Sequence, residues 1–366
     1  MKINIITCHR AYNYGAVLQA YALEHYLESQ GNEVKIIDYY PKELHKSEKQ
    51  KGLKKLGRNF IRFFDFRKSE KVFGNFLKNN LKLTQRYYSL DQLKKDPPKG
   101  DLYIVGSDQV WNCNTRNGND DSYFLTFVPK NKIKASYAAS IAMDELTNEQ
   151  KKRFSDKLKD FYAISVREKT AVKLLNECKI NIAEKVLDPV FLLDKNNWDE
   201  LANKSKLNLK DEKYIFVYGF KRQKNIYQYA RKLAKEKGCK VFSVNTNIED
   251  YLLDVDKYFY NVSPEDFLNL LRNAEAVVTN SFHGLSFSII YRKNVHQFMK
   301  SGKENSRMID LLNELNMSER LVENGEIIEE DFNYNETAKI IEEERKGSIN
   351  FLDKLCNADG GKNGQD

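Results

Sequence analysis

The sequence predicts an α/β protein with two Rossmann-like domains, each a parallel sheet covered by helices. Short apolar strands alternate with amphipathic helices through both halves of the chain. The 366 residues suggest about two domains, at roughly 100–200 residues each. Hydrophobic residues make up 41% and charged residues 31%, as in globular chains with buried cores.

The first half begins with a strand, a helix and a second strand, the start of a parallel sheet. Gly31 follows the helix at a position where glycine commonly ends one. The elements predicted for this half are strands at 2–7, 33–38, 101–105, 132–138 and 163–166, and helices at 16–29 and 147–161.

The second half repeats the alternation and predicts a separate Rossmann-like sheet. Its predicted elements are strands at 214–218, 240–244, 276–279 and 295–299, and helices at 225–236, 264–272, 283–291 and 306–316. A polar stretch at 194–212 is the predicted linker. The predicted domains are therefore residues 1–195 and 205–330, followed by a C-terminal helix at 331–356 and a flexible tail at 357–366.

Several classes of protein are excluded or disfavoured. No apolar run approaches the ~20 residues of a membrane-spanning helix. The start of the chain is a poor match to a signal peptide. The five cysteines form no C-x-x-C pair, which indicates neither a disulfide framework nor a zinc site. We therefore expect a cytoplasmic protein without a metal or cofactor.

The net charge of +8 is concentrated in one segment. Residues 42–86 carry 14 Lys/Arg against 4 Asp/Glu, with apolar residues at helical spacing. This predicts two basic amphipathic helices inserted into the first domain. Their apolar faces either pack on that domain or rest on anionic lipid at the inner face of the membrane. Because only this segment is basic, we expect no nucleic-acid partner.

Ligands of open α/β sheets bind beyond the carboxyl ends of the strands, so polar residues there are the candidates. After the first strand, Asn13, Tyr14 and Gln19 surround Gly15, whose small size would let a ligand approach; alternatively Gly15 is a turn residue and Asn13 a helix cap. After the strand at 101–105, Asp108, Gln109, Trp111 and Asn112 combine polar groups with an aromatic ring, a combination that suits a sugar; alternatively the segment forms only a turn.

Two further places combine charge with a predicted helix start. Arg167 follows the strand at 163–166 and could hold an anion or form a surface ion pair. His283 follows the strand at 276–279, where it could transfer a proton or serve only the fold. Lys303 and Arg307, further along, would favour a donor with both a phosphate and a carboxylate.

Seven segments together resemble the polysaccharide pyruvyl transferase family and span most of the chain in order. They are NYGAVLQAYAL from Asn13, VGSDQVWN from Val105, ASYAASIA from Ala135, SVREKTA from Ser165, VLDPVFLL from Val186, TNSFHGLSFSIIY from Thr279 and NSRMIDLLNELNM from Asn305.

The resemblance implies a GT-B-like arrangement with a cleft between an N-terminal acceptor domain and a C-terminal donor domain. It also implies an enzyme that moves the enolpyruvyl group of phosphoenolpyruvate onto a sugar of a cell-surface glycan or its precursor, with or without a lipid carrier. The product would be a pyruvate ketal, with phosphate released. By the same resemblance, His283 does acid/base work and Arg167 contacts the donor. Asp108 is our candidate for acceptor binding or base.

One position departs from the family pattern. Many members have an arginine two residues before the histidine, where this chain has Ser281. Either Arg307, Lys303 or Arg10 supplies the missing charge, or this branch uses a different donor. Two alternative functions stay open: a glycosyltransferase that uses a nucleotide-sugar, and a non-catalytic component of glycan assembly at the membrane surface.

Overall fold

The computed structural model describes residues 1–41, 53–220, 223–300 and 305–358, with side chains in the second range from residue 60 onward. The described chain forms two compact units. The first unit holds residues 1–41, 77–192 and 340–358, and the second holds 53–76, 193–220, 223–300 and 305–339. Residues 42–52 of the predicted basic insertion, and most of the predicted tail, lie outside the described residues.

A seven-stranded sheet forms the first unit, with the order β3-β2-β1-β4-β5-β6-β7 and every neighbouring pair parallel. Its strands are β1 (Lys2–Ile6), β2 (Glu33–Tyr39), β3 (Leu83–Tyr87), β4 (Leu102–Val105), β5 (Ile133–Ala139), β6 (Ala163–Val166) and β7 (Ala183–Lys185). The order reverses between β1 and β4, which is where such sheets leave a crevice at the carboxyl ends of their strands.

The second unit is built on a five-stranded parallel sheet with the order β10-β9-β8-β11-β12. Its strands are β8 (Tyr214–Tyr218), β9 (Lys240–Asn245), β10 (Lys257–Tyr260), β11 (Ala276–Thr279) and β12 (Asn294–Gln297). Here the order reverses between β8 and β11. Both predicted parallel sheets are thus confirmed.

The helices follow the strands in alternation. They are α1 (Tyr14–Ser29), α2 (Leu53–Asn80), α3 (Leu90–Lys95), α4 (Asn148–Leu158), α5 (Lys169–Glu177), α6 (Lys195–Ala202), α7 (Lys224–Lys237), α8 (Pro264–Arg272), α9 (Phe282–Ile290), α10 (Ser306–Glu314) and α11 (Asn335–Cys356). Gly31, at φ 80°, follows the end of α1 as predicted, because an αL residue there costs glycine nothing.

Three strands were not predicted from the sequence, and all three lie at the edge of a sheet. β3, β7 and β10 lie at the ends of their sheets and are only partly buried. An edge strand has fewer neighbours to bury it, so its sequence lacks the continuous apolar run that marks a central parallel strand.

The predicted pair of basic helices is a single helix, α2, of 28 residues. No proline interrupts it, and its two glycines, Gly57 and Gly74, do not break it. Contrary to the predicted insertion into the first domain, residues 53–76 belong to the second unit. No helix in the described part of the chain is long and apolar enough to span a bilayer.

Candidate functional site

The carboxyl edge of the first sheet is held together by a buried ion pair. Arg167, directly after β6, donates from Nη1 to Asp188 at 2.6 Å and to Ser107 at 3.3 Å. Ser107 in turn donates to the same Asp188 oxygen at 2.8 Å. The side chains of Arg167 and Asp188 are 1% and 0% exposed. This arrangement joins the ends of β4 and β6 to the segment after β7.

Several carboxylates surround the Arg167 guanidinium. Burial opposes its charge, but Asp188, Glu168 and Asp108 outweigh burial and raise the pKa of Arg167. Glu168 also accepts from the hydroxyl of Ser140 at 3.0 Å and from the next two backbone amides at 2.9 Å each. The positive charge of Arg167 is therefore compensated by carboxylates of the protein, and Glu168 fixes the turn after β5.

A second charge cluster lies at the ends of β1 to β3. Arg10 donates from Nε to one carboxylate oxygen of Asp38 and from Nη2 to the other, Oδ2, at 2.8 Å, and Arg86 donates from Nε to the same Oδ2 at 3.0 Å. Burial would raise the pKa of Asp38, but hydrogen bonds from His9 and Arg10 outweigh it and hold the pKa well below the usual range. Arg10 is thus engaged with a carboxylate.

Backbone strain is concentrated at this same edge. Tyr12, Asp108, Ala138 and Ala142 have positive φ angles of 49°, 77°, 53° and 50°, in or beside the turns that follow β1, β4 and β5. Side chains other than glycine adopt this conformation at a cost, and such residues cluster at ligand sites. Cys8 lies on the first of these turns, and burial raises the pKa of its thiol well above its usual value.

The residues predicted to bind the acceptor differ in how far their side chains are exposed. Asn13 caps α1 by accepting from the amides of Gly15 and Ala16 at 2.9 and 3.4 Å, the alternative considered for it above. Tyr14 is buried, and Gln19 is fully buried and donates to Thr7 at 2.9 Å.

Trp111 is a core residue, contrary to the predicted sugar contact. It has no exposed surface, donates from its indole to the carbonyl of Tyr123 at 2.9 Å, and stacks on Phe124. Only Asp108 and Gln109 of the predicted sugar-binding segment are half-exposed, and Gln109 accepts from Asn112 at 2.8 Å. A polar motif beside an aromatic residue therefore did not distinguish a binding surface from a buried turn.

The carboxyl edge of the second sheet carries His283 in the first turn of α9. Ser281 is the N-cap of this helix and accepts from the amide of Gly284 at 3.3 Å. A Cβ on Gly284 would approach Thr279 Oγ1 to 2.3 Å, so only glycine lets the helix start this close to β11. The histidine is consequently held at the positive end of the helix dipole, where anions are favoured.

Arg307 and His283 are grouped around one aromatic ring. The Phe282 ring lies edge-to-face with His283 at 5.3 Å, and the guanidinium of Arg307 lies 5.9 Å from the same ring. The structure therefore brings together three of the predicted residues, Ser281, His283 and Arg307. Lys303 lies outside the described residues.

Sequence reasoning missed an amide cluster beside this group. Asn280 accepts from the amide of Phe220 at 2.8 Å, donates to its carbonyl at 3.1 Å, and donates to Gln223. Lys300 lies 5.0 Å from the Phe220 ring and its amide donates to Asn305 at 2.9 Å. The sequence signal that could have identified this cluster is position after a strand, because Phe220 lies two residues after β8 and Lys300 lies three residues after β12.

Within the described residues, no group of three or more His, Cys, Asp or Glu could hold a metal ion.

Two parallel Rossmann-like sheets with polar residues at their carboxyl edges define the GT-B type of α/β fold. Solved structures of this type are similar to the chain. A Listeria monocytogenes protein described as a UDP-N-acetylglucosamine 2-epimerase has a TM-score of 0.54 at 11% identity, covering 100% of this chain and 99% of its own. The Escherichia coli ADP-heptose lipopolysaccharide heptosyltransferase II has a TM-score of 0.40 at 10% identity, covering 96% and 100%.

The family follows from the sequence. The family model for polysaccharide pyruvyl transferase matches residues 13–296, most of the chain. The chain belongs to the polysaccharide pyruvyl transferase family. No curated protein matches the chain in sequence. Membership implies a transferase that acts on a sugar acceptor.

Proposed function

We propose that this transferase uses phosphoenolpyruvate as its donor and forms a cyclic pyruvate ketal on the sugar of a cell-surface glycan or its precursor. The observation that carries the proposal is the group at the second sheet edge, in which His283 and Arg307 share the ring of Phe282 at the start of α9. It combines a proton-transfer group, a guanidinium and a helix N-terminus.

This group suits the charge of the proposed donor. Phosphoenolpyruvate carries a phosphate and a carboxylate, and removing both from water requires compensating cations. Arg307 and Lys300 both belong to the segment after β12, and the amide of Lys300 is fixed by the side chain of Asn305. The N-terminus of α9 adds the partial positive charge of its backbone amides.

The reaction requires one proton to be gained and two to be lost. One sugar hydroxyl adds to the central carbon of the donor and loses its proton, while the methylene carbon takes up a proton and becomes a methyl group. The carbon–oxygen bond to phosphate then breaks, and phosphate leaves with the electron pair. A second hydroxyl attacks the resulting oxocarbenium-like carbon, loses its proton and closes the ketal. We assign His283 to one of these transfers.

Arg307 is our choice for the charge that the family pattern places two residues before the histidine. Ser281 stands there, and its hydroxyl is engaged in capping α9. Arg10 is bound to Asp38, whereas the guanidinium of Arg307 lies against the ring of Phe282, the residue next to His283. The roles of Arg167 at the donor and of Asp108 at the acceptor stay predictions, as does independence from metals and cofactors.

We also propose that the protein works in the reducing cytoplasm. All five cysteines lie in the described residues and none forms a disulfide. Disulfides persist in oxidising compartments and are rare in the cytosol.

The direct test is a donor competition. The purified chain is incubated with a glycan acceptor fraction and either phosphoenolpyruvate or a panel of nucleotide-sugars. Acceptor-dependent release of inorganic phosphate, with a ketal signal in the product, supports the proposal. Release of a nucleoside diphosphate instead would replace it with the glycosyltransferase alternative. Retained activity in a chelator would support metal independence.

A further inference from the structure

The middle of α2 presents two opposite faces. Asp65, Ser69, Phe73 and Phe76, spaced at helical intervals, are all buried. Phe60, Phe63 and Phe64 lie on the other side and are 64%, 58% and 52% exposed. Because residues three or four positions apart share one helix face, these three rings form a single apolar stripe. Phe60 and Phe63 each pack edge-to-face on Phe64.

Basic residues continue the same stripe. Arg67 and Lys71 follow Phe60, Phe63 and Phe64 at helical spacing and are exposed, as is Arg62 beside them. The two acidic side chains on this part of the helix are both engaged. Asp65 faces inward, and Glu70 pairs with Arg67 at 3.1 Å.

A neighbouring turn of the same unit is also apolar and exposed. The backbone amide of Ile248 donates to Asp65 at 3.1 Å, which ties the turn at Ile248–Leu252 to α2. Ile248, Tyr251 and Leu252 on this turn are 41%, 57% and 88% exposed.

The helix is anchored to the sheet beside that turn. Ser69 donates to Asn261 at 2.7 Å, and the ammonium of Lys68 lies 4.0 Å from the ring of Tyr260. Tyr260 also donates to Asp65. The exposed rings are therefore carried on a fixed element.

We propose that these exposed residues form a docking surface for a membrane rich in anionic lipid. The surface consists of Phe60, Phe63, Phe64, Ile248, Tyr251 and Leu252 with the basic residues Arg62, Arg67 and Lys71. Aromatic rings enter the headgroup boundary, and Lys and Arg bind the negative headgroups. This surface shares no residue with the group around His283 and does not depend on the identity of the donor.

Charge decides between a lipid surface and a second copy of the chain. A two-fold dimer through this surface would bring the same patch of both copies together and so enclose two sets of these basic residues in one interface. Like charges brought together in an interface oppose binding, and lysine is depleted from interface cores. An anionic bilayer neutralises the same residues.

The test uses the full chain and sedimentation with two kinds of vesicle, phosphatidylcholine alone and a 3:1 mixture of phosphatidylcholine and phosphatidylserine. We expect binding to the anionic vesicles that weakens in high salt and little binding to the neutral ones. Because each basic residue near such a surface contributes about a fivefold effect, an R62Q/K71Q double variant should lose about 25-fold in partitioning.

The aromatic stripe is tested with a F60S/F63S/F64S variant, which should lose about tenfold or more in partitioning to the anionic vesicles. L252S should also bind less, and unchanged binding by that variant contradicts a surface built on two elements. The matched control is Y162S/I182S, which removes two exposed large hydrophobic residues from the first unit and should bind like the unmodified chain. Circular dichroism melts verify that each variant folds.

Two results overturn the proposal. One is anionic-vesicle binding that neither the aromatic nor the basic variants reduce, because another surface then does the binding. The other is a chain that does not bind vesicles but self-associates in sedimentation equilibrium, and whose self-association is lost in F60S/F63S/F64S. The surface would then be an interface between two copies of the chain.

Discussion

The carboxyl edges of the two sheets carry similar residue types and use them differently. At the first edge, Arg167 is bound to Asp188 at 2.6 Å and further carboxylates stand nearby. At the second edge, His283 and Arg307 flank an aromatic ring. Both arginines are buried. The first is bound to a carboxylate, which holds the fold in one arrangement, and the second lies against an aromatic ring at a helix N-terminus, where we propose that the anionic donor binds. Charge alone therefore does not distinguish the two edges, and the surroundings of each charge must be compared.

The largest effect that separates the two edges is expected from R167M. Removing the guanidinium leaves Asp188 buried without its cation, so the free energy of unfolding should fall by about 3–5 kcal/mol. Chemical denaturation measures it. R231M, which removes exposed ion pairs to Asp254 and Asp256, is the control and should cost under about 1 kcal/mol. An equally small cost at Arg167 would contradict its structural role.

R167K then tests the predicted donor contact. A lysine keeps the charge but not the planar fork of the guanidinium. If Arg167 contacts the donor, the donor KM rises in this variant. A fully folded R167K with an unchanged donor KM would remove Arg167 from donor binding.

At the second edge we expect H283A to change catalysis and leave the fold intact. Loss of an acid/base group typically lowers turnover by about 10²-fold or more. Steady-state kinetics and a thermal melt, run together, separate the two effects. H25A, at an exposed histidine on α1, is the control and should turn over normally. Normal turnover by H283A would exclude the histidine from the mechanism.

A smaller effect is expected from R307K. The ammonium retains charge but loses the bidentate geometry that suits phosphate and carboxylate, so donor KM should rise about tenfold with a modest change in kcat. R292K, at an exposed arginine of the same unit, provides the comparison. The assignment of Arg307 to the donor fails if both variants show the same KM.

The two units should also respond to pH in opposite senses, an effect of at most about 1.4 kcal/mol per pH unit. In the first unit, burial raises the pKa of Glu24 to about 8, although the amide of Lys82 donates to its carboxylate. Since the folded state then holds a proton that the unfolded state releases, stability is full below about pH 4.5 and falls as pH rises towards 8. E24Q should flatten this slope in denaturation curves; E33Q, at an exposed glutamate, should not.

In the second unit, burial lowers the pKa of His296 to about 3, with Arg320 and Lys237 adding to the effect. As the pH falls below about 6.5, His296 therefore binds a proton in the unfolded state but not in the folded state. Stability is therefore full above about pH 6.5 and is lost as pH falls towards 3. H296Q should flatten the acid side of the profile, and a profile identical to that of the unmodified chain would contradict the assignment.

Central strands and long helices could be predicted from the sequence because their signals are local. The strands at 163–166, 214–218 and 276–279 and the helix at 264–272 were predicted with their observed bounds. The edge strands β3, β7 and β10 could not, since partial burial leaves them without an apolar run, although the edge strand β12 was predicted. The basic segment was predicted as two helices and forms one, in which Phe73 is buried and Phe60 is exposed.

Candidate site residues could be predicted by position but not by exposure. His283 and Arg307 were both selected, and the structure groups them. Trp111 was selected by the same reasoning and is wholly buried. A residue after a strand lies at the sheet edge whatever its neighbours are, but the side chains that cover it come from distant parts of the chain.

The sequence by itself determined the alternation of strands and helices, the two parallel sheets and the family, because these depend on periodicity and on motifs within short stretches. The tertiary structure alone decided that Arg167 is bound to a carboxylate and that Arg307 and His283 lie against the same aromatic ring. It also decided that three phenylalanines of α2 face outward. Each of these outcomes depends on contacts between residues far apart in the chain, and free energies of charge and burial are set by those contacts rather than by neighbours in sequence.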